Sequence, residues 1–251
     1  MMMGMKHIRP IICMLALALM IHSGPAYAAE STTPHAVIEL YTSQGCNSCP
    51  PADHVLYQIN QEHTDLLALS YHVDYWNYLG WTDPFSDSRY SDRQRDYANR
   101  MRERYVYTPQ VIINGDNVVQ ATAKRRIEST ADALPGLKDI SAITLASDST
   151  DLPARGTVAL RNITMPASGN AHRIWIIGFD REHQRDVLSG ENAGKRLVHA
   201  NVVREMIDLG SWDGSSKDIP FAMTKACDGG IAVLVQNGNG GPIISASVIR
   251  Y

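Results

Sequence analysis

Cysteine and phenylalanine are scarce in this chain, whose 251 residues hold four Cys and three Phe. So few cysteines exclude a scaffold stapled by many disulfides. A net charge of -3 leaves no basic excess for gripping a nucleic-acid backbone. Histidine is absent between His72 and His172, which limits the imidazole clusters that could hold a metal. The glycine-rich string Asn237-Gly238-Asn239-Gly240-Gly241 is followed by no helical pattern, so it reads as a turn and not as a phosphate loop.

The first apolar run, Ile11 to Ile21, falls short of the ~20 residues that span a bilayer. Lys6 and Arg9 precede it and Ala26-Tyr27-Ala28 offers small residues for cleavage, so residues 1–28 read as a signal peptide cut after Ala28. The expected location is periplasmic or secreted, with no stable membrane insertion after cleavage. Cys13 leaves with this segment. Ile11-Ile12 precedes it instead of a lipoprotein-type Leu-x-Gly, so no lipid attachment is expected.

Export leaves Cys46, Cys49 and Cys227. The first two stand in Val37 to Pro51, V-I-E-L-Y-T-S-Q-G-C-N-S-C-P-P. An apolar, β-branched run predicts a buried strand, Gly45 lies in a short loop, and a helix should begin at the cysteines. Ser48 is the expected cap, Pro50 and Pro51 suit the first turn, and Val55, Leu56 and Ile59 form the apolar stripe. Cys46 then lies at the positive end of a helix dipole, which favours the thiolate that performs disulfide exchange. The alternative is an inert clip. Closing two intervening residues stabilises far less than the ~3 kcal/mol of a 15-residue loop, which favours the redox reading.

Leu66 to Val73 predicts a second buried strand, parallel to the first across a right-handed crossover. The aromatic segment Asp74 to Phe85 follows, then a helix over about 86–105 with Tyr90, Tyr97, Ala98, Met101 and Tyr105 on one stripe and a solvated charged face. Thr108-Pro109 precedes Val111-Ile112-Ile113, and Asn114-Gly115 signals a hairpin returning through Val118-Val119. Pro109 at a strand start is a place where a cis peptide is found. A helix over about 123–134 closes the unit. Beyond Leu134-Pro135-Gly136, short alternating runs at 143–146, 157–163, 174–179, 197–207, 231–235 and 243–249 predict an antiparallel β-sandwich. The expected division is residues 35–135 for the first domain and 139–251 for the second.

The order β, α, β, α, β, β, α, with Cys-x-x-Cys after the first strand and Thr-Pro before the hairpin, resembles the thioredoxin fold. The resemblance implies a cis Pro109 facing the cysteines, with Thr108 offering backbone hydrogen bonds to a substrate peptide. More narrowly, E-L-Y-T-S-Q-G-C-N-S-C-P-P-A-D, H-V-D-Y-W-N-Y-L-G-W-T-D-P-F, Y-T-P-Q-V-I-I-N-G and N-V-V-R-E resemble the exported bacterial family named domain of unknown function 1223. That resemblance covers nearly the whole mature chain and implies a thioredoxin-like fold and export, but no substrate. The expected fold class is therefore an α/β thioredoxin-like domain followed by an all-β antiparallel sandwich. Asn47-Ser48 between the cysteines departs from the dipeptides of familiar reductants and oxidants and leaves the redox direction open.

Candidate catalytic residues are Cys46, Cys49, Thr108, Pro109, Glu39 and His72. Glu39, on the first strand, is read either as a buried carboxylate relaying the proton of Cys49 or as a strand residue facing a polar pocket. His72 ends the second strand on the rim that carries the cysteines, where it can stabilise a thiolate or simply be a half-buried histidine satisfied by a carbonyl. Trp76, Trp81 and Tyr107 are candidate substrate contacts, the aromatic segment reading as a groove wall or as cover for a sheet edge. Cys227 reads as an idle buried thiol or as one able to pair or exchange.

Three functions are compatible with these residues. The favoured one is thiol-disulfide exchange on protein thiols or disulfides, in which Cys46 attacks and Cys49 resolves. It needs an electron-donor or acceptor protein and no cofactor beyond the Cys46–Cys49 disulfide. The second is copper(I) handling by Cys46, Cys49 and His72. The third is a noncatalytic binding module with the disulfide as a clip.

Overall fold

The computed structural model describes residues 31–146, 153–164 and 171–251. The expected signal peptide, its cleavage point and Cys13 lie outside these residues. The first half runs β1 (Ala36–Thr42), α1 (Pro50–Glu62), β2 (Leu66–His72), a single 3-10 turn (Asn77–Leu79), α2 (Ser88–Met101), β3 (Gln110–Ile113), β4 (Asn117–Val119) and α3 (Lys124–Ala133). The second half is strands: β5 (Ser141–Leu145), β6 (Arg155–Leu160), β7 (His172–Asp186), β8 (Arg196–Trp212), β9 (Lys217–Ala222), β10 (Gly230–Asn237) and β11 (Ile243–Arg250).

The two halves share one sheet. Its eight strands run in the order β11-β10-β7-β8-β2-β1-β3-β4. The junction is a parallel pairing of β8 with β2 at Val202 and Ser70, on the β2 edge that β1 leaves free. This overturns the expected α/β thioredoxin-like domain followed by an all-β sandwich: the chain is mostly β, and a large mixed sheet takes strands from both sides of Leu134. The physical reason lies in β2, all seven residues of which are buried. A bare edge on so apolar a strand would be a template for aggregation, and β8 covers it. Asn201 fastens the junction, its Nδ2 donating to the Ala68 carbonyl at 2.9 Å and to Asn60 Oδ1 of α1 at 2.8 Å.

Alternation along the strands sorts the core into layers. On one face Ile38 and Leu40 meet Leu56 and Ile59 of α1 and Ile127 and Ala131 of α3. Further along the sheet, the three-stranded sheet β5-β6-β9 packs Val158 and Phe221 against Ile174, Ile176 and Val233. On the other face Tyr41, Tyr71, Ile177 and Leu234 share a cluster with Tyr90 and Tyr97 of α2. Strand β9 was missed in the sequence because Pro220 interrupts it; an edge strand of the small sheet tolerates that proline.

Three local expectations are corrected. Helix α1 is capped at Cys49 with no side-chain cap bond, so Ser48 does not serve as its cap. Helix α2 stops at Met101, where Arg102 turns left-handed at φ 60°, and Tyr105 stays exposed. Its charged face is not wholly solvated, since Arg93 is buried. The hairpin turn falls at Asn114-Gly115, both with positive φ.

Candidate functional site

Cys46 and Cys49 are joined by a disulfide at the start of α1. Register sets what surrounds it: β1 pairs with β2 so that Thr42 lies opposite His72, which brings the Cys loop and the end of β2 to one rim. The Thr108–Pro109 peptide is cis. The Thr108 carbonyl oxygen lies 3.9 Å from Cys46 Sγ, and Ser48 Oγ lies 3.3 Å from the same sulfur. Both cysteines are covered, Cys46 at 1% exposure and Cys49 at 0%.

The cover is aromatic and partly borrowed from the C-terminal half. Trp76 packs its backbone and Cβ against Gly45, where a Cβ would stand 3.1 Å from that of Trp76, and its Nε1 donates to Thr108 Oγ1 at 2.7 Å. Trp81 Nε1 donates to Gln44 Oε1 at 3.0 Å. Tyr107 is 41% exposed, and its carbonyl accepts from Gln94. The loop between β7 and β8 closes over this segment. Its Asn192 donates from Nδ2 to the carbonyls of Gln44 and Cys46, both at 2.9 Å, and its Ser189 hydroxyl donates to the Gly80 carbonyl.

Glu39 is not brought beneath the cysteines. It points to the face occupied by α2, where it accepts from Arg93 Nε at 2.7 Å and from the Tyr97 hydroxyl at 2.5 Å. Arg93 also donates to Gln236 and Tyr97 and lies over the rings of Tyr71, Tyr97 and Trp175. Glu39 thus anchors a buried ion pair that ties β1, α2 and β10 together.

The buried carboxylate near the cysteines is Asp53. It stands four residues after Cys49, one turn along α1 on the same helix face, and accepts from Thr42 Oγ1 at 2.8 Å. Its other oxygen lies 3.6 Å from His199 Nδ1 of β8. His72 forms a second pair, Nδ1 to Asp83 Oδ2 at 2.7 Å, with side chains fully buried. The two imidazoles meet nearly edge to face at 4.6 Å, with the Phe85 ring against both. Gln44 threads the pairs together: its backbone N–H donates to Asp83 and its side-chain nitrogen lies 3.3 Å from His199 Nε2.

These environments displace the protonation equilibria. Burial disfavours charge on His199, but the Asp53 carboxylate, with a smaller pull from Asp83, holds its proton more tightly than in an ordinary imidazole. Burial raises the Asp83 carboxyl, yet His72 and the amides of Gln44 and Phe85 hold it below the usual carboxylate range. Cys227 lies apart, 2% exposed, its thiol pushed up to about 12 by burial and by the nearby Asp180 and Glu205.

Of the three candidate copper(I) ligands, the two sulfurs are bonded to each other and His72 Nδ1 lies 2.7 Å from Asp83 Oδ2. Among the described residues Glu62, His63 and Glu128 group closely enough for a cation, but Lys124 already bridges the two glutamates.

The family described as a protein of unknown function, DUF1223, matches residues 37–236. The chain belongs to the DUF1223 family. A crystal structure of an Agrobacterium tumefaciens protein, a structural-genomics target, is 32% identical, with a TM-score of 0.69 over 87% of this chain and 95% of that one. HBP35 of Porphyromonas gingivalis is 12% identical, with a TM-score of 0.53 over 87% of this chain and 75% of that one, a likeness of fold alone. No curated protein matches this DUF1223 chain.

Asp53, Asp83, Asn192 and His199 escaped the sequence reading. Asp53 carried a usable signal, its four-residue spacing from Cys49, and His199 another, a histidine inside the apolar run of β8. Asn192 carried none.

Proposed function

We propose that this DUF1223 protein is an exported thiol-disulfide exchange protein that acts on protein thiols or disulfides through Cys46 and Cys49. The observation that carries the reading is the disulfide at the start of α1 with the Thr108 carbonyl 3.9 Å from Cys46 Sγ. An incoming thiolate attacks Cys46 Sγ, forming a mixed disulfide, and Cys49 leaves as a thiolate that takes up a proton; the reverse steps reoxidise the pair. Thr108 and Pro109 hold the incoming backbone, and Trp76, Trp81 and Tyr107 supply an apolar rim. A partner protein exchanges electrons with the pair, which is the redox group itself. Entry requires the Trp76–Thr108 contact to open, since Cys46 is covered.

A structural clip is favoured by one observation, the burial of both sulfurs. Equilibration in glutathione buffers separates the two readings. Exchange predicts a reversible couple within roughly -270 to -120 mV and a glutathione adduct trapped on Cys46 in Cys49→Ser. A potential below about -300 mV with no trapped adduct would establish the clip instead.

A further inference from the structure

Four ionisable side chains, Asp53, His72, Asp83 and His199, lie wholly inside the protein behind the Cys loop, none more than 3% exposed. Burying such groups is costly unless every polar atom is paired. Here Asp53 Oδ2, His199 Nδ1 and His72 Nε2 have no hydrogen-bond partner among the described residues. The first two face each other at 3.6 Å, too far for a settled bond and close enough to form one. A pair left open in this way is suited to gaining and losing a proton.

Position supplies the rest. Asp53 stands one turn after Cys49 on the same face of α1, with its carboxylate held by Thr42 at the end of β1. Behind Asp53 opens a cleft of about 400 Å³ between α1 and the β7–β8 hairpin, lined by Pro50, Asp53, His54, Glu182, Gln184 and Arg196. Tyr57, Leu197 and Val198 complete its lining, and of the pair Asp53 is the member that borders it. Around His199 stand Asp53 from α1, His72 from β2, Asp83 and Phe85 from the segment before α2, and Gln44 from the Cys loop. Beyond Phe85 lie His183 of β7 and Arg204 of β8, which is bound to Asp180.

Resting on the exchange reading above, we propose that Asp53 and His199 form the proton-exchanging pair of the site, taking the proton of the Cys49 thiol and releasing it to water in the α1–β8 cleft. In the resolving step the Cys49 S–H proton passes to the Asp53–His199 pair. The freed electron pair on sulfur forms the Cys46–Cys49 bond as the bond from Cys46 to the substrate sulfur breaks. The substrate sulfur departs with its electron pair as a thiolate, and the proton leaves through the cleft. Substrate enters beside Thr108 and Trp76, and protons move on the opposite side of α1.

The reaction of the reduced protein with Ellman's reagent tests this, because attack by Cys46 and resolution by Cys49 each release one thionitrobenzoate. In the wild type, the rate of the second release should climb with pH and level off above the ordinary imidazole value of about 6.5. In His199→Gln and Asp53→Asn the first release should be unchanged. The second should slow roughly 100-fold near neutral pH and lose its plateau, the size of effect that a positioned base supplies. Val233→Ala, in the remote core, controls for general loosening. A normal first release with an unslowed second release in both variants overturns this inference and leaves the exchange reading standing. Equal slowing in Val233→Ala overturns it too. No first release from Cys46 in the wild type removes both readings.

Discussion

The buried Glu39–Arg93 pair offers the most quantitative test of how this fold is held. Arg93 makes three hydrogen bonds, to Glu39 at 2.7 Å, Tyr97 at 2.9 Å and Gln236 at 3.0 Å. Its guanidinium lies 5.3 to 5.9 Å from the centroids of the Tyr97, Trp175 and Tyr71 rings. Arg93→Met preserves much of the volume and removes the charge. Glu39, fully buried, then keeps only the Tyr97 hydroxyl, and an uncompensated buried carboxylate costs about 3–5 kcal/mol. For a chain of this size that corresponds to a loss of roughly 6–20 °C in melting temperature. The double variant Glu39→Leu/Arg93→Met removes both charges and should recover to within about 2 kcal/mol of the wild type, since apolar replacement of a whole buried pair is often neutral. Urea unfolding followed by circular dichroism measures both. A single variant within about 1 kcal/mol of the wild type would refute the reasoning, as would a double variant no better than the single. The double variant should also retain the reduction potential of the Cys46–Cys49 pair, because Glu39 faces α2.

Three further outcomes are expected. Because Asp53 raises the folded-state value of His199, the stabilisation it brings is full below about 6.5 and is lost as pH rises through the higher folded value. That of Asp83, whose folded value is depressed, is full above about 3.8 and is lost as pH falls through the lower folded value. Urea midpoints across pH should show both limbs, with Asp53→Asn abolishing the alkaline one; an unchanged alkaline limb would count against the Asp53–His199 pairing. Asn192→Ala strips donors from the Gln44 and Cys46 carbonyls and should cost about 1–3 kcal/mol while speeding reduction of the disulfide by dithiothreitol. Unchanged stability and unchanged reduction kinetics would show that the β7–β8 loop does not hold the Cys loop. Cys227, buried with its thiol pushed up to about 12, should stay unmodified by Ellman's reagent in the oxidised native protein and react once guanidinium unfolds it; rapid native modification would contradict that burial.

Local patterns account for what was legible in the sequence. The strand–loop–helix around Cys46, the parallel strand ending at His72, Thr108-Pro109 ahead of its hairpin and the Asn114-Gly115 turn each depend on residues within a few positions of one another. Turn chemistry and apolar periodicity act over that range. Arg93 was misjudged for the complementary reason: a charged residue on a helix face reads as solvated until its partner, 54 positions away on β1, is known.

The sequence by itself determined most of the elements, β9 excepted, the order in which the chain lays them down, and the placement of the two cysteines at a helix start. Only the tertiary structure decided that β8 docks on β2, and that pairing joins β7, β8, β10 and β11 to the four strands of the first half in one sheet. The same docking carries His199 to Asp53 across 146 residues and Asn192 to the Cys46 carbonyl. Strand pairing is backbone hydrogen bonding between edges that many apolar runs could supply, so the choice among them rests on which arrangement buries every face at once. That is a property of the whole packed chain and of no window within it.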